Sequence, residues 1–195
     1  MNDPHRNWRT FTGLVRCHEA MAAIEKPIIA KINGENIAFG SSVMFSSDLI
    51  YARDDARIGD NHLGMGEMAP YGPRWGMVPG DGGAALAPLY FSPPLAKEYL
   101  MLGKTWTGRE LAEMHLINGA VPADQLDAVV NDVVARLLKR PAYALAWTKR
   151  VTNRLLVDQL NRALDAGVGY EMTTFLQIER GGWREDFDQI GRAHV

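Results

Sequence analysis

His62 follows the run Ala56-Arg57-Ile58-Gly59-Asp60-Asn61 and opens a long loop, so its imidazole is placed at a strand exit where it could serve as a general base. A loop histidine is also an ordinary solvated side chain. Asp81 lies between glycines in Gly80-Asp81-Gly82-Gly83, at the start of a helix. There a carboxylate can orient and charge-stabilise an imidazole, or simply cap the helix for about 1 kcal/mol. Glu171 falls inside the last long helix among Tyr170, Met172 and Phe175. A carboxylate on a partly apolar face is a candidate acid, although most helix charges face water. Asn33-Gly34-Glu35-Asn36-Ile37-Ala38-Phe39-Gly40 joins a buried strand to a helix start. Free backbone N–H groups at such a turn can hold a developing oxyanion, though many strand-turn-helix connections do nothing of the kind.

Other chemistries find less support. Asp60, His62 and Glu67 are metal-type residues, but their spacing matches no ligand pattern, so no metal is expected. The Gly80 turn lacks the lysine of a phosphate-binding loop, which disfavours a nucleoside triphosphatase. Lys139-Arg140 and Lys149-Arg150 read as solvated basic pairs on helices, available to a phosphate-bearing ligand.

The elements that must carry these residues alternate. Trp8, Phe11, Leu14, Val15, His18, Met21, Ala22 and Glu25 recur at helical spacing, which predicts an amphipathic helix over 6–25. Pro27 to Ile32 reads as a buried strand stopped by Asn33-Gly34, Gly40 to Phe45 as a short helix, and Asp48 to Ala52 as the next strand. From residue 63 to 79 the chain carries four glycines and three prolines without usable periodicity, a long surface loop. Helices are expected over 84–89 and 95–102, the latter closed by Gly103. Thr107-Gly108-Arg109-Glu110 forms a capping box for a helix reaching about His115. Beyond Ala120-Val121-Pro122 the sequence is helical over 125–138, again after Pro141, and over 155–178, with a loosely held end at 181–195. The fold class is α/β with an all-α C-terminal region, and no internal repeat marks a second unit.

Composition narrows the partners. The chain has 195 residues, 47% apolar and 23% charged, enough for one globular core. A net charge of -2 supplies no field for nucleic acid or an anionic membrane. Cys17 is the single cysteine, so neither a disulfide framework nor a cysteine zinc site can form, and a cytoplasmic setting is expected. No run approaches the roughly 18 apolar residues of a membrane span, and the polar start lacks a signal peptide's apolar region.

Lys26-Pro27-Ile28-Ile29-Ala30-Lys31-Ile32-Asn33-Gly34, Asp48-Leu49-Ile50-Tyr51-Ala52 and Ala56-Arg57-Ile58-Gly59 resemble the enoyl-CoA hydratase/isomerase, or crotonase, superfamily. So do Pro79-Gly80-Asp81-Gly82-Gly83, Leu100-Met101-Leu102-Gly103 and Ile117-Asn118-Gly119-Ala120-Val121-Pro122, in family order over residues 10–180. The resemblance implies a crotonase-like β-β-α spiral core over 1–122 and a helical oligomerisation region over 123–195. It also implies an acyl-CoA thioester as substrate, no tightly bound cofactor, fatty acid metabolism, and a homotrimer or hexamer assembled through residues 145–178.

In that family two backbone N–H groups hold a thioester enolate, and the second falls on Phe39, usually glycine, beside the retained Gly40. The first comes from a loop ahead of the 6–25 helix. The chain starts too late to contain it, so a truncated chain lacking N-terminal strands is expected. The two glutamates of family hydratases match Ser42 and His62, which removes the usual water-activating pair. A subgroup instead pairs a histidine with the aspartate of the Gly-Asp-Gly turn, as His62 and Asp81 would. It resembles the 6-oxocamphor-type β-diketone hydrolases, whose helical glutamate matches Glu171, although their second histidine stands where this chain has Phe39. Three functions stay open: an acyl-CoA hydratase or isomerase with His62 as base, a β-diketone C–C hydrolase, and a non-catalytic assembly subunit.

Overall fold

In a computed structural model, which describes residues 4–63 and 76–180, helix α1 (Pro4–Ala23) leads into strand β1 (Ile29–Ile32). Then come β2 (Asn36–Ile37), α2 (Phe39–Phe45), β3 (Leu49–Arg53) and β4 (Arg57–Gly59). After the undescribed stretch follow α3 (Gly83–Tyr90), α4 (Pro93–Leu102), β5 (Trp106–Thr107), α5 (Gly108–Glu113) and β6 (Gly119–Val121). Helices α6 (Leu126–Leu138), α7 (Ala142–Thr152) and α8 (Arg154–Arg180) complete the chain. The expected α/β order and all-α final third are present. The long 64–75 loop, Glu67 and the loosely held 181–195 end lie outside the described residues.

One sheet runs β1-β3-β6, all parallel, with Ile29 opposite Leu49 and Ala52 opposite Ala120. The other runs β2-β4-β5, parallel and then antiparallel. Two-residue strands such as β2 and β5 are too short to show a period of two, so the sequence pattern does not mark them. Thr107 caps α5 with the full reciprocal box, and Gly103 ends α4 at φ 63°, where glycine carries no Cβ penalty.

Met44, Phe45, Ile50, Ile58, Leu86 and Leu111 fill the core, beside a stack of Phe91, Tyr99 and Trp106 with ring centroids 5.1–5.8 Å apart. Leu160, Leu164 and Val168 bring α8 into the same core, against α3 and α1. Trp8, expected on the covered face of the first helix, is instead 66% exposed; α1 turns Phe11 and His18 inward. Lys149 also departs from expectation, being buried rather than solvated. Among the described residues no helix is long and apolar enough to cross a membrane.

Candidate active site

Three elements converge on one imidazole. His62 lies just past the end of β4, and the backbone N–H of Met77 donates to its carbonyl at 2.8 Å, closing the base of the intervening segment. Asp81 sits in the turn before α3. Glu171 comes from α8, one turn beyond Gly167. Gly167 stacks on Gly80 so closely that a Cβ on Gly80 would collide with the Gly167 carbonyl. A glycine inside a helix costs about 1 kcal/mol. Here the Gly80–Gly167 contact is what lets α8 carry Glu171 down to Asp81.

The three expected catalytic residues are therefore brought together, all buried, with Ser42 beside them. His62 Nε2 faces Asp81 Oδ2 at 3.2 Å and Glu171 Oε1 at 3.9 Å. Its Nδ1 faces both oxygens of Asp60 at 3.0 Å, and Asp60 Oδ1 also accepts the His62 backbone N–H at 2.9 Å. The carboxylate that fixes the ring through Nδ1 is thus Asp60, which the sequence offered only as a metal-type residue. Asp81 lies at the opposite nitrogen. Ser42 donates its hydroxyl to Asp81 Oδ1 at 2.9 Å.

Burial alone would lower the His62 pKa, but the hydrogen bonds and charges of Asp60 and Asp81 outweigh it and push it up to about 11. At neutral pH the ring is an imidazolium donating from both nitrogens. Burial likewise opposes ionisation of Asp81, yet the His62 cation and the Ser42 hydroxyl hold its pKa below the usual carboxylate range. Glu171 goes the other way: burial, and then the negative Asp81, raise it to about 7. Its Oε2 is buried and has no hydrogen-bond partner among the described residues. A carboxyl balanced near neutrality with one unengaged oxygen can take up or release a proton.

The Phe39 turn adjoins this cluster through α2, which carries Ser42. Ala38 enters the helix at φ 51° and ψ -126°, a conformation that side chains rarely adopt and that costs about 1–3 kcal/mol. Ser41 and Ser42 N–H donate to the Ala38 carbonyl, so the preceding N–H groups of Phe39 and Gly40 come before the first intrahelical bond. Strain at this turn is what an anion-holding backbone would store.

The residue that sequence reading missed is His18, wholly buried on α1. Its Nε2 lies 2.7 Å from the Asp81 carbonyl and its Nδ1 2.6 Å from Ser46 Oγ. Helical spacing marked it only as part of a packing face.

The mixed α/β scaffold thus holds His62, Asp81 and Glu171 together, buried, beside a strained backbone turn. The family model for enoyl-CoA hydratase/isomerase matches residues 9–182, and the chain belongs to that family. It is 26% identical over 142 residues to a crotonyl-CoA hydratase of Syntrophomonas wolfei, covering 73% of this chain and 51% of that protein. The crystal structure of an enoyl-CoA hydratase/isomerase from Mycobacterium paratuberculosis superposes with a TM-score of 0.79 at 28% identity, over 89% of this chain and 65% of that one. A β-diketone hydrolase from the cyanobacterium Anabaena shares the fold, with a TM-score of 0.77 at 22% identity over 88% of this chain and 65% of its own. The chain spans about half the length of the curated relatives it matches.

Proposed function

We propose that this chain processes an acyl-CoA thioester through an enolate, adding water or shifting a proton, with Glu171 as the proton-exchanging group. The observation that carries the reading is the Glu171 carboxyl itself, raised to about 7, placed 3.9 Å from a fixed imidazolium, and with Oε2 unengaged by the described residues. In hydration, ionised Glu171 accepts a proton from water as the water oxygen bonds to the β-carbon. Backbone N–H groups of Phe39 and Gly40 hold the resulting enolate oxygen. Glu171 then returns the proton to the α-carbon, so no net charge is left behind. His62, held by Asp60 and Asp81, supplies a fixed positive charge beside Glu171 rather than a free base. Substrate is the only coenzyme A required, and the setting is cytoplasmic. Residues 1–122 form the α/β core, and residues 123–195 supply homotrimer or hexamer contacts.

Ser42 favours a second reading. With a hydroxyl in place of the family glutamate, His62, Asp81 and Glu171 resemble the set of the diketone hydrolases apart from their second histidine, which is Phe39 here; such groups direct water at a ketone and an enolate leaves. One experiment separates the two: incubate the purified chain with crotonyl-CoA and, separately, with a cyclic β-diketone, and follow mass. A gain of one water by the thioester, lost in Glu171→Gln, is expected. Gain by the diketone alone transfers the site to C–C hydrolysis. No water gained by either, and no mass-neutral double-bond shift in the thioester by NMR, in a folded oligomer overturns both in favour of an assembly subunit.

A further inference from the structure

We propose that His18 is a positioning residue for this site: by hydrogen-bonding the Asp81 carbonyl it sets the pose of the Asp81 carboxylate against His62. The inference rests on the reading of Asp81, His62 and Glu171 given above. A carbonyl only accepts, so His18 Nε2 must carry the hydrogen in the 2.7 Å contact. Burial lowers the His18 pKa, so the ring is neutral and its bare Nδ1 accepts from the Ser46 hydroxyl at 2.6 Å. Ser46 thus fixes the tautomer that Asp81 needs.

The surroundings are shaped around this one contact. Gly82 has φ 136°, which favours glycine, and a Cβ there would stand 2.5 Å from His18 Nε2 and 2.9 Å from Ser42 Cβ. Only a glycine after Asp81 admits the ring. The ring also meets Phe39 edge to face at 5.8 Å, so one side chain touches both the Asp81 turn and the residue assigned to hold the enolate. Displacing a peptide at Asp81 by a fraction of an ångström moves the carboxylate that faces His62 Nε2, and misplacement on the 1 Å scale costs catalysis about 100-fold.

A buried, satisfied histidine could equally be a plain core residue, and the two roles differ in what they do to the neighbouring titrations. Among the described residues the groups facing His62 are Asp60 after β4, Asp81 before α3 and Glu171 on α8, with Tyr99 of α4 within electrostatic reach of Asp60 and Asp81. The test is an NMR titration of the His62 ring and the Glu171 carboxyl in the substrate-free protein, in His18→Phe, His18→Gln and Ser46→Ala. Phenylalanine keeps the ring volume without the hydrogen bonds. Glutamine returns an N–H near the Nε2 position. In His18→Phe both the His62 and Glu171 midpoints are expected to fall by about half a pH unit or more as Asp81 loosens. His18→Gln restores them, and Ser46→Ala falls between. On a confirmed substrate, His18→Phe lowers kcat about 10-fold to 100-fold with KM little changed. Unchanged midpoints in folded His18→Phe, whatever its melting temperature, would overturn the proposal. If that variant does not fold, unchanged midpoints in Ser46→Ala do the same. Because the titrations need no substrate, they stand or fall apart from the proposed reaction.

Discussion

The buried cluster at His62 and the buried ion pair at Lys149 solve the same problem in opposite ways. Lys149 Nζ donates to the Met21 and Lys26 carbonyls at 3.1 Å and lies 2.8 Å from Asp48 Oδ2, which also accepts the Ile28 N–H at 2.6 Å. Three donors meet three acceptors, and α7 is locked to the end of α1 and the start of β1. At His62 the ring nitrogens are equally engaged, yet Glu171 Oε2 has no hydrogen-bond partner among the described residues. A saturated charge has nothing left to exchange and serves the fold. An unsaturated one carries a standing cost that a ligand or a proton relieves.

The largest effect that could break this contrast is on turnover. Glu171→Gln keeps shape and removes the titrating group, so kcat/KM on the confirmed substrate should fall about 100-fold to 10,000-fold, or about 2.7–5.4 kcal/mol. Melting temperature at pH 8 should hold or rise, because a buried carboxylate with an unengaged oxygen is gone. A stable, fully active Glu171→Gln variant would erase the distinction between the two clusters.

Lys149→Met should do the reverse. Removing one partner of a buried pair strands Asp48 and two carbonyls and costs about 3–5 kcal/mol in urea unfolding. Turnover per folded molecule should stay within about twofold of the parent, since no Lys149 contact reaches the His62 cluster.

A third comparison is by pH. Glu171 holds its proton in the folded state up to about 7 but releases it near 4.5 when unfolded, so the folded chain binds more protons between those values. Stability from this group is therefore full below about 4.5 and lost as pH rises towards 7. His62 acts in the same sense over a higher window: its stabilisation is complete below 6.5 and disappears as pH rises through about 11. Asp81 acts oppositely, being lost as pH falls through its lowered folded value. Urea midpoints of parent and Glu171→Gln should agree near pH 4.5, and the variant should become the more stable by pH 8. Parallel curves would refute the raised Glu171.

These two clusters also mark how far the sequence could be read. Helix periods, the Thr107 box, the Gly103 stop and the alternation of helix with strand were legible because each is local. That His62, Asp81 and Glu171 would meet was legible through motif spacing that resembles a family pattern. Asp60, two residues from His62, looked like half a metal site because nothing local says which ring nitrogen a carboxylate will meet. His18 and Asp81 stand 63 positions apart, and Lys149 and Met21 stand 128 apart. On their helices both side chains read as ordinary face residues. Gly167 inside a helix is a local cost whose reason, Gly80 packed beneath it, is visible only in the fold.

The smallest effect tests whether a satisfied backbone cap behaves like the satisfied Lys149. Thr107 Oγ1 accepts the Glu110 N–H at 3.2 Å, and Glu110 Oε2 accepts the Thr107 N–H at 2.7 Å, all in an exposed position. Water can replace these partners, as it cannot around Lys149. Thr107→Ala should therefore cost only about 1 kcal/mol in urea unfolding. The loss stays at the start of α5 and leaves turnover and the His62 and Glu171 titrations where they were. A cost near that of Lys149→Met would mean that α5, through its packing on β3 and β6, is coupled to the core more tightly than a six-residue helix with a solvated cap should be. Saturation, rather than burial, would then be the property the two sites share.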